Sequence, residues 1–433
     1  MSKNPLAILQ SRLQENKGGT PFGVFSVCSS HPAVIESTLN YSAGKDFPVL
    51  IESTCNQVNQ FGGYSGKTPE QFVAYLYDIS SKLEFPTSNL ILGGDHLGPY
   101  PWRSMPAQAA MGNACQLVQD YVSAGYRKIH LDASMFCGDD DQDQPLDVRL
   151  SAQRTAQLCQ AAEAAPRDNK INCLYIIGTE VPSPGGDQSS GHELQVTSPE
   201  NVSETIQITK GEFLKCGLES AWERVIAVVV QPGVEFYDKS VHYYDPRQAA
   251  LLSQFIMGEP GMVFEAHSTD YQTLSSLNNL VKDHFAILKV GPELTFVYRE
   301  MIFALEQIEL GIARYESRIE LSNISTVIDQ EMVGQPEYWE AYYSGTEEGL
   351  AFSRKYSYND RIRYYWNKPK VQDALRKLYS NLTAFEIPLP LISQHLPEIY
   401  PKIIQGELPN HPKNWIENKI FSVLKKYHQA ITP

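Results

Sequence analysis

Eight stretches of the chain share one pattern: a few β-branched or aliphatic residues in succession, then polar residues or glycine. They are FGVFSVCSS from Phe22, PVLIEST from Pro48, LILGGDH from Leu90, KIHLDAS from Lys128, CLYIIGTE from Cys173, RVIAVVVQPG from Arg224, MVFEAHST from Met262 and AILKVGP from Ala286. Short apolar runs of this kind suit strands buried on both faces of a parallel sheet. Helix-like segments lie between them. TPEQFVAYLYDISSKL offers Thr68 as a cap, Pro69 at the first helical position and Glu70 in the first turn. PAQAAMGNACQLVQDYVSAG and RLSAQRTAQLCQAAEAA are rich in helix formers. Strand alternating with helix, eight times, predicts an α/β chain folded as a (β/α)8 TIM barrel. The rival is an open doubly wound sheet, but no glycine-rich dinucleotide turn follows the first strand.

From about Arg299 the pattern changes. Aromatic residues cluster in EYWEAYYSG and RKYSYNDRIRYYW, and the stretch after Trp366 is helix-like with prolines in IPLPLISQHLPEIYP. This predicts a barrel over residues 1–298 and a C-terminal helical extension over 299–433, packed on the barrel.

Composition narrows the function. Lys and Arg total 36 against 50 Asp and Glu, a formal charge of −14. That argues against nucleic acid and anionic membranes as partners, while leaving room for an anionic small molecule met by a few local cations. The longest aliphatic run, Val225–Val230, is too short to span a membrane. MSKNPLAILQSRLQENKGG lacks the apolar core of a signal peptide. The seven cysteines are scattered and form no C-x-x-C pair, which predicts reduced thiols and a cytoplasmic protein. The oligomeric state is left open, a homo-oligomer included.

In a barrel, residues at the C-terminal ends of the strands face the active site. Here these are Glu52, Asp95, His96, Asp132, Glu180, Gln231, Glu265, His267 and Lys289. Two histidines at strand ends, one beside an aspartate, predict a divalent-metal site of His96 and His267, with Glu180 as third ligand and Gln231 as fourth. Imidazole with carboxylate suits zinc or a similar ion. Glu52 and Glu265 read as buried partners of barrel lysines. Lys289 either neutralises a phosphate or enolate, or pairs with a barrel acid. Arg361 and Arg363 either reach a sugar phosphate, or tie the extension down through Asp360 and the tyrosines.

FGGYSGKT, from Phe61, invites a nucleotide-binding reading. A Walker A loop needs glycine five residues before Gly66, and that position is Phe61. A glycine-rich turn leading to the capping Thr68 is the better account.

The strand ends resemble class II, metal-dependent aldolases, and the whole chain is similar to the Z-subunit family of tagatose-1,6-bisphosphate aldolase. Asp95-His96 resembles the aldolase pair in which Asp is the acid/base and His a zinc ligand. Asp132 to Ser134 resembles the Asp-Gly-Ser after the next strand, placing Asp132 near substrate. Glu180 to Gly186 resembles the Glu-Leu-Gly-x-x-Gly-Gly loop, whose glutamate lies near the metal with a catalytic part. His267-Ser268 resembles the last histidine ligand and the phosphate-holding loop after it, which makes Ser268 a substrate contact. There are departures. The strand expected to end in Gly-Thr-x-His ends in QPGVEF without a histidine, position 188 holds Gln, and Gly291 stands where an asparagine is expected. The resemblance implies a phosphorylated ketohexose as ligand and two roles. The chain either supports a separate catalytic aldolase subunit, or is itself a metal-dependent ketohexose-phosphate 4-epimerase working by retro-aldol cleavage and re-addition. The missing histidine favours the first; retention of Asp95, His96, Glu180 and His267 favours the second.

Overall fold

The computed structural model describes residues 4–45, 47–166, 172–178, 194–316 and 318–432. Ten strands are present among them: β1 Val24–Cys28, β2 Val49–Thr54, β3 Leu90–Leu97, β4 Lys128–Leu131, β5 Leu174–Gly178, β6 Val225–Val229, β7 Glu235–Phe236, β8 Val241–His242, β9 Val263–Ala266 and β10 Phe285–Val290. Eight close into a parallel barrel in the order β1-β10-β9-β6-β5-β4-β3-β2, and β7 and β8 form a small hairpin outside it. Each barrel strand falls on one of the eight apolar runs, because a strand walled on one side by helices and on the other by the barrel lumen has no solvent face.

Helices alternate with these strands: α1 Pro5–Lys17, α2 Pro32–Ser42, α3 Pro69–Lys82, α4 Ala107–Ala124, α5 Val148–Ala164, α6 Pro199–Lys215, α7 Glu219–Trp222, α8 Ala250–Met257 and α9 Leu274–Lys282. The turn of α3 forms as its sequence dictates, with Thr68 and Gln71 in a reciprocal capping box and Pro69 in the first turn. Helix α1 closes the bottom of the barrel. Its Leu6, Leu9 and Leu13 pack with Val24, Leu50, Ile91, Leu174 and Val263, all near the starts of their strands.

The division expected at 298/299 falls inside a single helix, α10 Pro292–Ala313. Its residues are good helix formers straight across that point, so nothing local breaks it. The extension continues as α11 Ile324–Gly334, α12 Glu347–Tyr356, α13 Pro369–Thr383, α14 Leu389–His395, α15 Tyr400–Ile404 and α16 Pro412–Ala430. Helix α16 packs against α9, α2, α10 and β1. It therefore fills the place in the outer ring between the helices that follow the seventh and the first barrel strands. Tyr427 fixes it there, donating to the Thr269 carbonyl at 2.7 Å, and Gly23 donates to the Ile431 carbonyl at 3.1 Å.

Candidate functional site

Three imidazoles meet at the upper mouth of the barrel. His96 at the end of β3, His130 on β4 and His267 just past β9 have ring centroids 4.7 Å (His96 to His267), 5.1 Å (His96 to His130) and 5.2 Å (His130 to His267) apart. All three are buried. Local backbone explains how they converge. Neighbouring residues on a regular strand face opposite sides, yet Asp95 and His96 both line the same cavity. The register of β3 against β4 shifts between Gly94 and Leu97, and His96 sits at φ +48°. This bulge swings His96 to the side that Asp95 already faces. On β4 no such device is needed: Lys128, His130 and Asp132 share a face because they are two residues apart.

A carboxylate holds each ring. His96 Nδ1 is 2.9 Å from Asp132 Oδ2, His130 Nδ1 is 3.0 Å from Asp95 Oδ1, and His267 Nε2 is 3.0 Å from Glu265 Oε1. In His96 and His267 the nitrogen facing the carboxylate carries the proton, so the opposite nitrogen carries the lone pair. His130 Nδ1 faces both Asp95 Oδ1 and the His96 amide, which donates to it at 3.2 Å, and its Nε2 is buried with no hydrogen-bond partner among the described residues. An imidazole oriented by a carboxylate with its other nitrogen free is the usual arrangement of a metal-ligating histidine. One ligand atom each from Asp95, His130, Glu265 and His267 lies within 4.8 Å of all the others. This donor set, imidazole and carboxylate in a buried pocket, fits a divalent ion such as zinc.

Beneath the histidines lies a layer of four buried charges. Lys128 Nζ is 2.6 Å from both Glu52 Oε1 and Glu265 Oε2. Lys289 pairs with Glu52, with Asp95 Oδ1 at 2.8 Å and with Glu265 Oε1 at 3.3 Å. Two glutamates and two lysines cancel, and Asp95 adds one negative charge facing the cavity. Such a layer is tolerated in a barrel lumen only because every charge has opposite partners on both sides.

These neighbours set the protonation states. Burial works to raise the Asp95 carboxyl, but Lys289, then His96 and His130, overcome it and hold it well below the usual carboxylate range. Burial likewise opposes the ionised Asp132, and the hydrogen bond from His96 brings it to about 2. Burial pushes His267 down to about 3, so its ring is neutral and free to bind through its lone pair. Lys289 is held well above its ordinary value by Asp95 and the other anions around it, against the cost of burial.

The comparisons with known proteins agree over almost the full length. Residues 9–432 match the family described as D-tagatose-1,6-bisphosphate aldolase subunit GatZ/KbaZ-like. The chain belongs to the GatZ/KbaZ-like family. A solved structure from Sinorhizobium meliloti 1021, described as a probable tagatose 6 phosphate kinase, is 42% identical, with a TM-score of 0.85 over 94% of this chain and 100% of that one. The YdjI aldolase from Escherichia coli K12 is 10% identical, with a TM-score of 0.42 over 87% of this chain and 98% of that one. The fructose-bisphosphate aldolase from Campylobacter jejuni is 14% identical, with a TM-score of 0.44 over 88% and 95%. Likeness at the level of these two aldolases bears on neither the fold nor the function.

In this GatZ/KbaZ-like chain, Asp95, His96, His267, Ser268, Lys289 and Arg363 all line one inner cavity. Ser268 is held at φ +54° directly after His267. Asp132 has both oxygens engaged, Oδ2 with His96 and Oδ1 with the amide and hydroxyl of Ser134. It orients a histidine. Gln231 turns its side-chain oxygen back on its own loop, accepting from Gly233 N at 2.8 Å and Val234 N at 3.0 Å. Glu180 lies outside the described residues. Arg361 is buried in the extension, its guanidinium 3.1 Å above the Tyr342 ring and donating to the Tyr364 hydroxyl. Glu52 and Glu265 are the partners of Lys128 and Lys289.

His130 was missed by sequence reasoning. The histidine expected after the sixth barrel strand is absent, and one from the fourth strand stands in the cluster instead. Its signal was present in KIHLDAS: three polar residues at period two inside an apolar run.

Proposed function

We propose that the chain is a tagatose-1,6-bisphosphate aldolase subunit whose own barrel holds a divalent metal and handles a phosphorylated ketohexose by aldol chemistry. One observation carries this reading: three buried imidazoles, each oriented by its own carboxylate, surround the ionised Asp95. His130 and His267, with Asp95 and Glu265, would hold the metal; His96, the ligand expected from the sequence, lies outside that set, bound to Asp132 with its ring 4.7 Å from that of His267. Glu180, two positions past β5 in the sequence and outside the described residues, is kept as a further ligand or catalytic carboxylate from the sequence reading. When bound, such an ion acts as a Lewis acid on the carbonyl and neighbouring hydroxyl of a ketose.

The chain's own groups supply the rest. Asp95, unprotonated in the resting site, takes the proton from the C4 hydroxyl as the C3–C4 bond breaks and returns it on re-addition. Lys289, 2.8 Å from Asp95, keeps the carboxyl ionised and offers positive charge to the oxygen that becomes enolate-like. Ser268 and Arg363, lining the same cavity, bind the phosphorylated substrate.

A second reading is 4-epimerisation, in which the aldehyde fragment stays bound, turns and re-adds. The completeness of the proton-moving and cation set within one chain favours it, because a purely supporting subunit needs none of these groups. The name carried by the Sinorhizobium meliloti relative raises a kinase reading. The loop at 61–68 does not favour it: the amides of Gly63, Ser65, Gly66, Lys67 and Thr68 are all taken by internal acceptors.

Metal analysis of the purified chain, with tagatose 6-phosphate turnover measured alone and beside a catalytic aldolase subunit, tests the proposal. Bound metal with 4-epimer formed by the chain alone selects the second reading. Bound metal with activity only in the complex selects the first. A chain without metal under both conditions overturns the shared reading.

A further inference from the structure

The inner cavity over the histidines measures about 90 Å³, well under the ~300 Å³ at which small-molecule pockets begin. It opens onto a second, outer chamber of about 430 Å³. Cys28, Gln57, Tyr64, Gly291, Pro292 and Arg363 line both. A ligand reacting at the histidines must therefore place most of its bulk in the outer chamber.

The outer chamber has a distinct electrostatic character. In a chain of formal charge −14, its lining holds two cations, Lys67 and Arg363, and no Asp or Glu. Arg363 is partly buried and donates only to neutral oxygens, the Asn359 and Asp360 carbonyls and the Tyr364 hydroxyl. Lys67 Nζ lies 4.8 Å from the Tyr75 ring centroid and 3.4 Å from the Ser65 carbonyl. Neither cation has a carboxylate within salt-bridge distance among the described residues.

Two further features point the same way. Helix α2 begins at this chamber, with His31 as an N-cap that makes no side-chain capping bond; α10 begins there too, but Asp270 already accepts from its Gly291 and Glu293 amides. Helix N-termini attract anions. Trp366, 2% exposed, lines the same space, and its indole N–H is buried with no partner among the described residues. An unpaired indole donor, two cations without a carboxylate partner and the open start of α2 around one void call for an acceptor-rich anion.

We infer that the outer chamber is the subsite for the terminal phosphate of an elongated sugar phosphate, gripped by Lys67, Arg363 and the Trp366 indole. This gives the glycine-rich loop at 61–68 its role. Its backbone is closed on itself, and it delivers the Lys67 side chain. The inference rests on the proposed function only for the identity of the ligand's reacting end.

The test is calorimetry on the full chain with inorganic phosphate, tagatose 6-phosphate, unphosphorylated tagatose and ATP. Inorganic phosphate should bind and compete with tagatose 6-phosphate. Lys67→Met and Trp366→Phe should each weaken both by about tenfold, the weight of one hydrogen bond to a charged group, leaving tagatose affinity and metal content at wild-type values. Thermal melts identify a variant that has lost its fold, and Trp366→Phe, which keeps an aromatic ring, then decides. Wild-type phosphate affinity in both variants, or equal weakening of tagatose, overturns the inference. ATP binding tighter than tagatose 6-phosphate and lost in Lys67→Met would reassign the subsite to a nucleotide and also overturn it. Lys67-dependent phosphate binding in a chain that holds no metal and turns nothing over would uphold the subsite while the proposed function fails.

Discussion

Gly93 lies directly beside Glu52 in the barrel wall, paired with it in register, and the Glu52 side chain occupies the space a side chain at 93 would need. A Cβ there would fall 2.5 Å from Glu52 Cγ. The absence of a side chain on β3 is what lets Glu52 reach across to Lys128 and Lys289. Gly93→Ala should therefore displace the charged layer and destabilise the fold by about 2 kcal/mol, as overpacked cores generally are. Urea denaturation of the variant against wild type reads this directly, and an unchanged midpoint would refute the account of the glycine.

His130→Ala should strip metal from the chain as thoroughly as His267→Ala, because each removes one of a small set of nitrogen donors, and more thoroughly than His96→Ala, since His96 lies outside that set. Gln231→Ala should leave metal content unchanged, since its oxygen already caps its own loop. Elemental analysis of the four purified variants makes the comparison. Metal loss in Gln231→Ala with retention in His130→Ala would return the site to the sixth barrel strand.

Asp95→Asn should keep metal but lower turnover by about 10²-fold or more, because an amide cannot take the C4 hydroxyl proton. Measuring both quantities on one preparation separates proton transfer from binding. Near-normal turnover would move the proton-accepting role to another residue, with Glu180 the first to test.

Asp270 caps α10, accepting from Gly291 N at 2.9 Å and Glu293 N at 2.8 Å, and burial raises its carboxyl to about 7. Its pKa is thus higher folded than unfolded. The folded state binds more protons between about pH 4 and pH 7, so the stability contributed is full below that window and is lost as pH rises through it. Asp270→Asn keeps an acceptor oxygen for both amides and removes the titration. The stability of wild type relative to this variant should fall from pH 4 to pH 7, as followed by denaturant unfolding across that range; a flat difference would contradict the assignment.

The barrel was legible because burial on both faces writes itself as uninterrupted apolar runs, and each of the eight became a barrel strand. Lone charges inside those runs, Glu52, Lys128, Glu265 and Lys289, marked the lumen. His130 escaped because a single histidine between Ile129 and Leu131 inside an apolar run carries no mark of its own, although it shares a face with Asp132. The helical ring was harder to foresee. Helix α16 reads as an ordinary amphipathic helix, and nothing in its own residues says that its apolar face belongs between α9 and α2. Likewise, the loop at 61–68 carries no local mark that its lysine borders a chamber built partly by the extension.

The position of α16 also bears on how the protein is made. A ribosome releases the eight strands and their helices first, and the wedge that separates α9 from α2 comes only after more than a hundred further residues. Until then the wall beside β1 stays open and its apolar lining is uncovered. Closing that seam is thus the last step of synthesis, and a chain ending before Pro412 would keep it bare.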